Sequence, residues 1–209
     1  SNNRYSSRNV CGSCIMKDKA IKNFLNSFGR KVTKQAKNNL STAGKVVTGT
    51  LLNSIKYKLI STPKGYSLRF FSADYGDFVD KGVSGIGGTF KSGKYKGSHS
   101  GVRYYKNIKG GSPTKSPYQF GSGKGSGSIY TALDKWIVKK GIAPRDAQGK
   151  FISRKGLKIA IVRSLWIRGI QGISYYTTPM RIGLKKFPTD LLNAFNKDFM
   201  EITKNIGKK

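Results

Sequence analysis

From Met16 to Ala43 the apolar residues Ile21, Phe24, Leu25, Phe28 and Val32 recur at spacings of three and four. That period belongs to an amphipathic helix. Lys17, Lys19, Lys22, Lys34 and Lys37 fill its outer face, Gly29 interrupts its middle, and Gly44 supplies a stop. A helix this long with one apolar stripe needs a second layer to cover the stripe. The next residues offer one. Ser54 to Leu59 alternates apolar and polar residues, Tyr66 to Phe71 is aromatic-rich, and Ser61-Thr62-Pro63-Lys64-Gly65 between them has turn chemistry. The pair is expected to be an antiparallel hairpin.

Helical patterning returns after residue 128. Ile129, Leu133, Trp136 and Ile137 keep the helical period, and Gly141 closes it. Leu157 to Trp166 is apolar on most sides, which predicts a central or inter-subunit helix. Tyr175 to Pro179 is expected to open a short basic helix. A separate last helix is expected from Phe187-Pro188-Thr189-Asp190, with Leu191, Leu192, Phe195, Phe199, Ile202 and Ile206 as its stripe. The fold expectation is α+β: one small antiparallel sheet packed against the long N-terminal helix and the C-terminal helices. Residues 1–15 are expected to be a flexible arm. Residues 16–209 are expected to be a single domain with an insertion at 83–128.

The insertion has a composition of its own. It holds 12 of the 26 glycines, eight Lys or Arg and no acid, with Phe90, Tyr95, Tyr104, Tyr105, Tyr118 and Phe120 interleaved. Basic glycine-rich segments with aromatics can follow a nucleic-acid backbone, or act as contact arms in an assembly ordered by their neighbours. The whole chain shares the bias. Forty Lys and Arg face nine Asp and Glu, for a net charge of +31. Such a field repels copies of the chain and attracts polyanions. Nucleic acid, an anionic membrane surface or an acidic protein would each balance it. No apolar run reaches the length of a membrane span; Leu157 to Ile170 is too short and contains Arg163 and Arg168. The N-terminus has no apolar signal core, so synthesis in a cytoplasm without export is expected.

Residues suited to catalysis are sparse. Cys11 and Cys14 lack two further ligands for a zinc site, and the single histidine, His99, lies in the Gly/Ser-rich stretch. The two cysteines are read as small residues of the arm, with their redox state open. Gly85-Ile86-Gly87-Gly88 lacks the context of a nucleotide fingerprint. Asp74, Asp77 and Asp80 fall on one side of a helical turn, in a segment expected to be exposed. Their plain reading is a solvated turn or a partner for a basic neighbour. The sharper reading is a metal-dependent nuclease, which would need further ligands. No catalytic residue, cofactor, metal or small-molecule substrate is expected.

The order of segments carries one more signal. Thr48, Gly49, Leu51, Ser54 and Ile55 follow the first helix, with Leu52 beside them. Tyr75, Val79, Asp80 and Gly82 follow the hairpin. Ala160 to Trp166, then Gly169-Ile170 and Thr178-Pro179, close the chain. This series resembles the head–tail joining and tail-completion proteins of tailed bacteriophages. The resemblance implies a structural virion protein, assembled in the host cytoplasm and placed at the head–tail junction or tail. It implies a homo-oligomeric ring, six- or twelve-fold, that meets portal or adaptor and tail proteins and surrounds the DNA exit path. DNA contact would be to phosphates, and Lys91, Lys94, Lys96, Arg103, Lys106 and Lys109 are the residues expected to make it. The alternative is a free, sequence-nonspecific nucleic-acid-binding protein of the nucleoid or packaging kind.

Overall fold

Two long helices lie against each other and organise the rest. In the computed structural model, the described residues are 18–44, 49–121, 129–139, 141–143, 145, 148–151 and 153–206. Helix α1 (Lys19–Thr42) packs on α6 (Thr177–Ile206) and on the hairpin of β1 (Lys56–Thr62) and β2 (Gly65–Phe71). Between them come α2 (Thr50–Ser54) and, after the hairpin, α3 (Gly76–Lys81). Short ribbons follow: β3 (Gly88–Phe90) with β4 (Gly97–His99), and β5 (Tyr104–Tyr105) with β6 (Thr114–Lys115). Helices α4 (Ile129–Lys139) and α5 (Arg154–Arg168) pack on one another before the chain enters α6.

Among the described residues 51% are helical and 18% are in strands, so the fold is α+β. The expected single sheet is instead three separate two-stranded antiparallel ribbons. The predicted hairpin is present, with Lys56 opposite Phe71 and Thr62 opposite Gly65. Pro63 and Lys64 form its two-residue loop, and the Thr62 hydroxyl donates to the Gly65 carbonyl across it at 2.9 Å. Ser54 and Ile55 are not strand residues. Ser54 ends α2, and its hydroxyl donates to the Leu51 carbonyl at 2.7 Å while accepting from the Ala73 amide at 2.8 Å.

Helix α1 buries Leu25, Gly29, Val32, Ala36 and Leu40, one stripe at helical spacing. Gly29 survives in mid-helix because the Tyr57 ring lies against its backbone, where a methyl group would collide. Ala36 and Leu40 join Leu51, Ile55 and Tyr175 in the main core, with Leu52, Ala73, Val79, Ile173 and Tyr176 around it. An aromatic group extends this core toward α6. Phe187 sits 5.3 Å from Phe24 and 4.9 Å from Phe28, and Phe70 sits 5.8 Å from Tyr176, in tilted or edge arrangements.

Two helix expectations are corrected. The short basic helix and the last helix are one continuous element, with Pro188 inside it. Proline at that position removes one backbone donor, the bond to the carbonyl four residues earlier. Phe187, packed on Phe28 of α1, and Asp198, bonded to the start of α1, hold α6 to its partner on both sides of the proline. The second correction concerns α5, which is not central. Ile159 is exposed, and the buried side chain on its first half is Lys158, whose Nζ lies 3.7 Å from the Tyr130 ring centroid. The helix has one helical neighbour, α4, so most of its apolar surface has no layer to meet.

The start of α1 has no side-chain cap of its own, since Asp18 makes no capping bond. The cap comes from the far end of the chain. The buried Asp198 carboxylate accepts from the Ala20 amide at 2.8 Å and the Ile21 amide at 2.9 Å. It satisfies two orphan donors and sits at the positive end of the helix dipole. Asp198→Ala is expected to lower unfolding free energy by about 1–3 kcal/mol, the scale of hydrogen bonds to a charged group. Urea denaturation checks this. A midpoint unchanged from wild type would show that α1 does not depend on this cap.

Candidate functional site

The glycine at the start of α2 takes the conformation that the sequence suggested. Gly49 has φ 77°, a left-handed backbone that suits glycine, and it occupies the N-cap position of α2. Thr48 lies outside the described residues, as do Cys11 and Cys14. Leu51 and Ile55 are buried beside Tyr175, so this part of the motif is a packing device.

Asp80, Asp77 and Asp74 do not form one exposed patch. Asp80 is 3% exposed. One carboxylate oxygen accepts from the Tyr176 amide at 2.7 Å and the Thr177 amide at 3.1 Å; the other accepts from the Thr177 hydroxyl. Asp80 therefore caps α6 from α3. Its own carbonyl accepts from the Ser174 amide at 2.9 Å, which fixes the approach. Asp77 turns elsewhere. It pairs with Lys81 at 2.7 Å and accepts from the Tyr118 hydroxyl at 3.0 Å. Burial raises the Asp77 carboxyl, but the bonds from Lys81 and Tyr118 outweigh it and hold the group below its ordinary range. Among the described residues, no three His, Cys, Asp or Glu come together as a metal site. Tyr75 is exposed at the start of α3, and Gly82 ends α3 with φ 75°.

Beyond α3 the glycine-rich segment is threaded against the end of α5. Val83 and Ile170 exchange both backbone bonds, at 2.9 and 2.7 Å. The Ser84 amide donates to the Tyr118 carbonyl at 2.8 Å and the Gly85 amide to the Gly101 carbonyl at 2.8 Å. The Ile86 amide donates to the Trp166 carbonyl at 2.9 Å and the Gly87 amide to the Ile167 carbonyl at 3.1 Å. Gly85, Gly101 and Gly169 meet where backbones touch backbones, and a Cβ on any of them would overlap a neighbouring main-chain atom. Residues 83–121, expected to take shape on neighbours, thus carry bonds to their own chain.

That interlock sets out the basic residues. Lys91, Lys94 and Lys96 lie in or beside the β3–β4 loop, and Lys106 and Lys109 lie between β5 and β6; all five are exposed. Arg103 differs. It is half-buried, its amide donates to the Ser84 hydroxyl at 3.1 Å, and its Nε is buried with no hydrogen-bond partner. Burial and the nearby charge of Arg168 lower its pKa. Arg168, the last residue of α5, stacks its guanidinium 3.7 Å from the Tyr95 ring centroid. The hydrogen bond offered by Arg168 and the charges of Arg168 and Lys94 hold the Tyr95 phenol below its ordinary range. Five of the six expected phosphate contacts are thus separate surface lysines, and the sixth belongs to a cluster. Arg168 gives no sign of this role in the sequence, where it only interrupts an apolar run. Tyr95 is an aromatic among lysines, with nothing nearby in the chain to mark its partner.

No family model matches the chain, and no curated protein or solved structure matches it. The functional reading rests on the residues themselves.

Asp80→Ala is expected to cost about 3 kcal/mol, because two amides and a hydroxyl lose a charged acceptor. Asp80→Asn, which keeps an acceptor, is expected to cost less. Urea titration of both variants decides it, and equal losses would remove the role assigned to charge. A second expectation concerns alkaline pH. Burial pushes the Tyr175 phenol up to about 12, with Asp80 adding to the rise and a Ser72 hydrogen bond opposing it. The neutral form is the one the fold prefers, so its contribution is complete below pH 10 and disappears as pH rises through 12. Thermal melts from pH 9 to 12 should fall more steeply for wild type than for Tyr175→Phe. Parallel curves would contradict this.

Proposed function

We propose that the chain is a structural subunit of a tailed-bacteriophage head–tail connector, a ring component that joins portal to tail around the DNA exit path. The observation that carries this reading is an apolar face on α6 with no covering layer. One face of α6 meets α1 through Phe187, Ala194 and Asp198. Another displays Leu192, Phe195, Phe199 and Met200, with Phe199 56% and Met200 62% exposed and the Phe195 and Phe199 rings stacked at 6.5 Å. An exposed apolar stripe of this kind marks a protein contact. A chain of net charge +31 resists self-association unless an anionic body offsets it. A ring threaded by DNA supplies both the protein neighbour and the polyanion. The segment order from Gly49 to Pro179 supports the same reading.

A free nucleic-acid-binding protein is the second reading. The cluster of Arg103 and Arg168, which no described carboxylate pairs with, favours it. In both readings the chain is not an enzyme, and its DNA contacts read phosphates rather than bases.

Mass spectrometry of purified, nuclease-treated virions separates the two. A fixed count of about six or twelve copies per particle is expected for a closed ring. Absence from the particles would overturn the connector reading.

A further inference from the structure

We propose that Arg103 and Arg168, braced by Tyr95, form a preorganised seat for one phosphate group. The inference deepens the part of the reading above in which the chain meets DNA, and it rests on that part. The first observation is the unmet donor. Arg103 Nε is buried and has no partner, which is uncommon for a charged donor removed from water. The second is the absence of a counter-ion. The ion pairs among the described residues are Lys22–Asp18 and Lys81–Asp77, and neither touches this cluster. Two guanidinium groups held within electrostatic reach of one another, with no carboxylate between them, lack one component: an oxyanion.

The third observation is rigidity. Arg103 lies two residues beyond Gly101, and Arg168 lies between Ile167 and Gly169. Gly101 abuts the Ile167 carbonyl, and both Gly101 and Gly169 abut Gly85. The backbones that carry the two arginines are therefore fixed against one another. Stacking on Tyr95 uses the flat face of Arg168 and leaves in-plane N–H donors at its edge. The His99 ring Nε2 lies 2.8 Å from the Tyr95 carbonyl oxygen and ties that loop down. A tetrahedral oxyanion has enough acceptors for donors from both guanidinium groups. The exposed Lys91, Lys94 and Lys96 add a positive approach, which favours a polyanion over an isolated carboxylate.

The test uses the full chain and a fluorescein-labelled 20-base-pair duplex, followed by anisotropy from 50 to 400 mM salt. Arg103→Lys with Arg168→Lys keeps both charges and removes both planar forks. This variant is expected to bind about tenfold more weakly than wild type, with the charge count unchanged. Arg103→Gln with Arg168→Gln should also flatten the salt dependence, by about one unit of slope for each phosphate the variant no longer neutralises. Lys64→Gln with Lys185→Gln removes the same two charges from exposed positions elsewhere and should change affinity less than threefold. Tyr95→Ala truncates an exposed ring outside the glycine interlock, so it guards against a variant that simply unfolds. It is expected to weaken binding several-fold with an unchanged melting temperature.

Inorganic pyrophosphate, titrated at constant ionic strength, separates the sources of the phosphate. A rise in melting temperature for wild type but not for the lysine pair, with duplex affinity equal in both, would support the seat and assign it to a free phosphate compound. Wild-type affinity for duplex together with no pyrophosphate effect would overturn the seat. The connector reading would survive that result, because virion copy number tests it separately.

Discussion

The carboxylate of Asp80 at the start of α6 is the contact on which the rest of the arrangement depends. It receives two amides and a hydroxyl from Tyr176 and Thr177, and its own carbonyl receives the Ser174 amide. Those bonds tie α3 to the entry of a 30-residue helix. Tyr175, the residue before the capped turn, is thereby placed in the core against Leu51 and Ile55. The far end of the same helix caps α1 in turn through Asp198. Two of nine acids therefore sit at helix starts. A negative charge there meets the helix dipole and open N–H groups together, so each does more than it would in a surface ion pair.

Scarcity of acid explains other features. A chain with forty cations cannot neutralise them internally, and its described ion pairs are short-range contacts between residues four apart. Cohesion comes instead from apolar and aromatic packing between α1, α6 and the first hairpin, and from backbone bonds in the glycine interlock. The cations are left on the surface, apart from a few such as Lys158, set over a ring, and Arg103. What remains outside is an apolar stripe on α6 and a basic rim on the ribbons, two surfaces of different chemistry.

Much of this is legible in the sequence where periodicity speaks. Helix α1, the first hairpin, α4 and the stripe of α6 follow from spacing alone, because a 3.6-residue or two-residue period reports one buried face. The left-handed Gly49 follows from its place between apolar segments. The continuity of α6 through Pro188 is hidden, because proline reads as a boundary locally and only the packing on α1 overrides it. The role of Asp80 is hidden too. Its donors lie 96 and 97 residues away, and no local pattern encodes that. The exposed side of α5 escapes a sequence reading because an all-round apolar helix implies burial only when enough layers exist to bury it. The arginine pair escapes it for the same reason as Asp80: residues 103 and 168 meet through glycines whose spacing carries no period.

The Asp198 cap bears on how the chain comes to be folded during synthesis. The amide of residue 20 and the carboxylate that receives it are 178 positions apart. At ribosomal rates of ~5–20 residues per second, α1 waits about 10–40 s before its cap exists. Through that interval its amphipathic face, basic on one side and apolar on the other, is present without its main partner α6. A nascent segment with that character is a substrate for chaperones and an adhesive for nucleic acid. The pairing of α1 with α6 is thus a closing event, and everything between the two helices is enclosed by it.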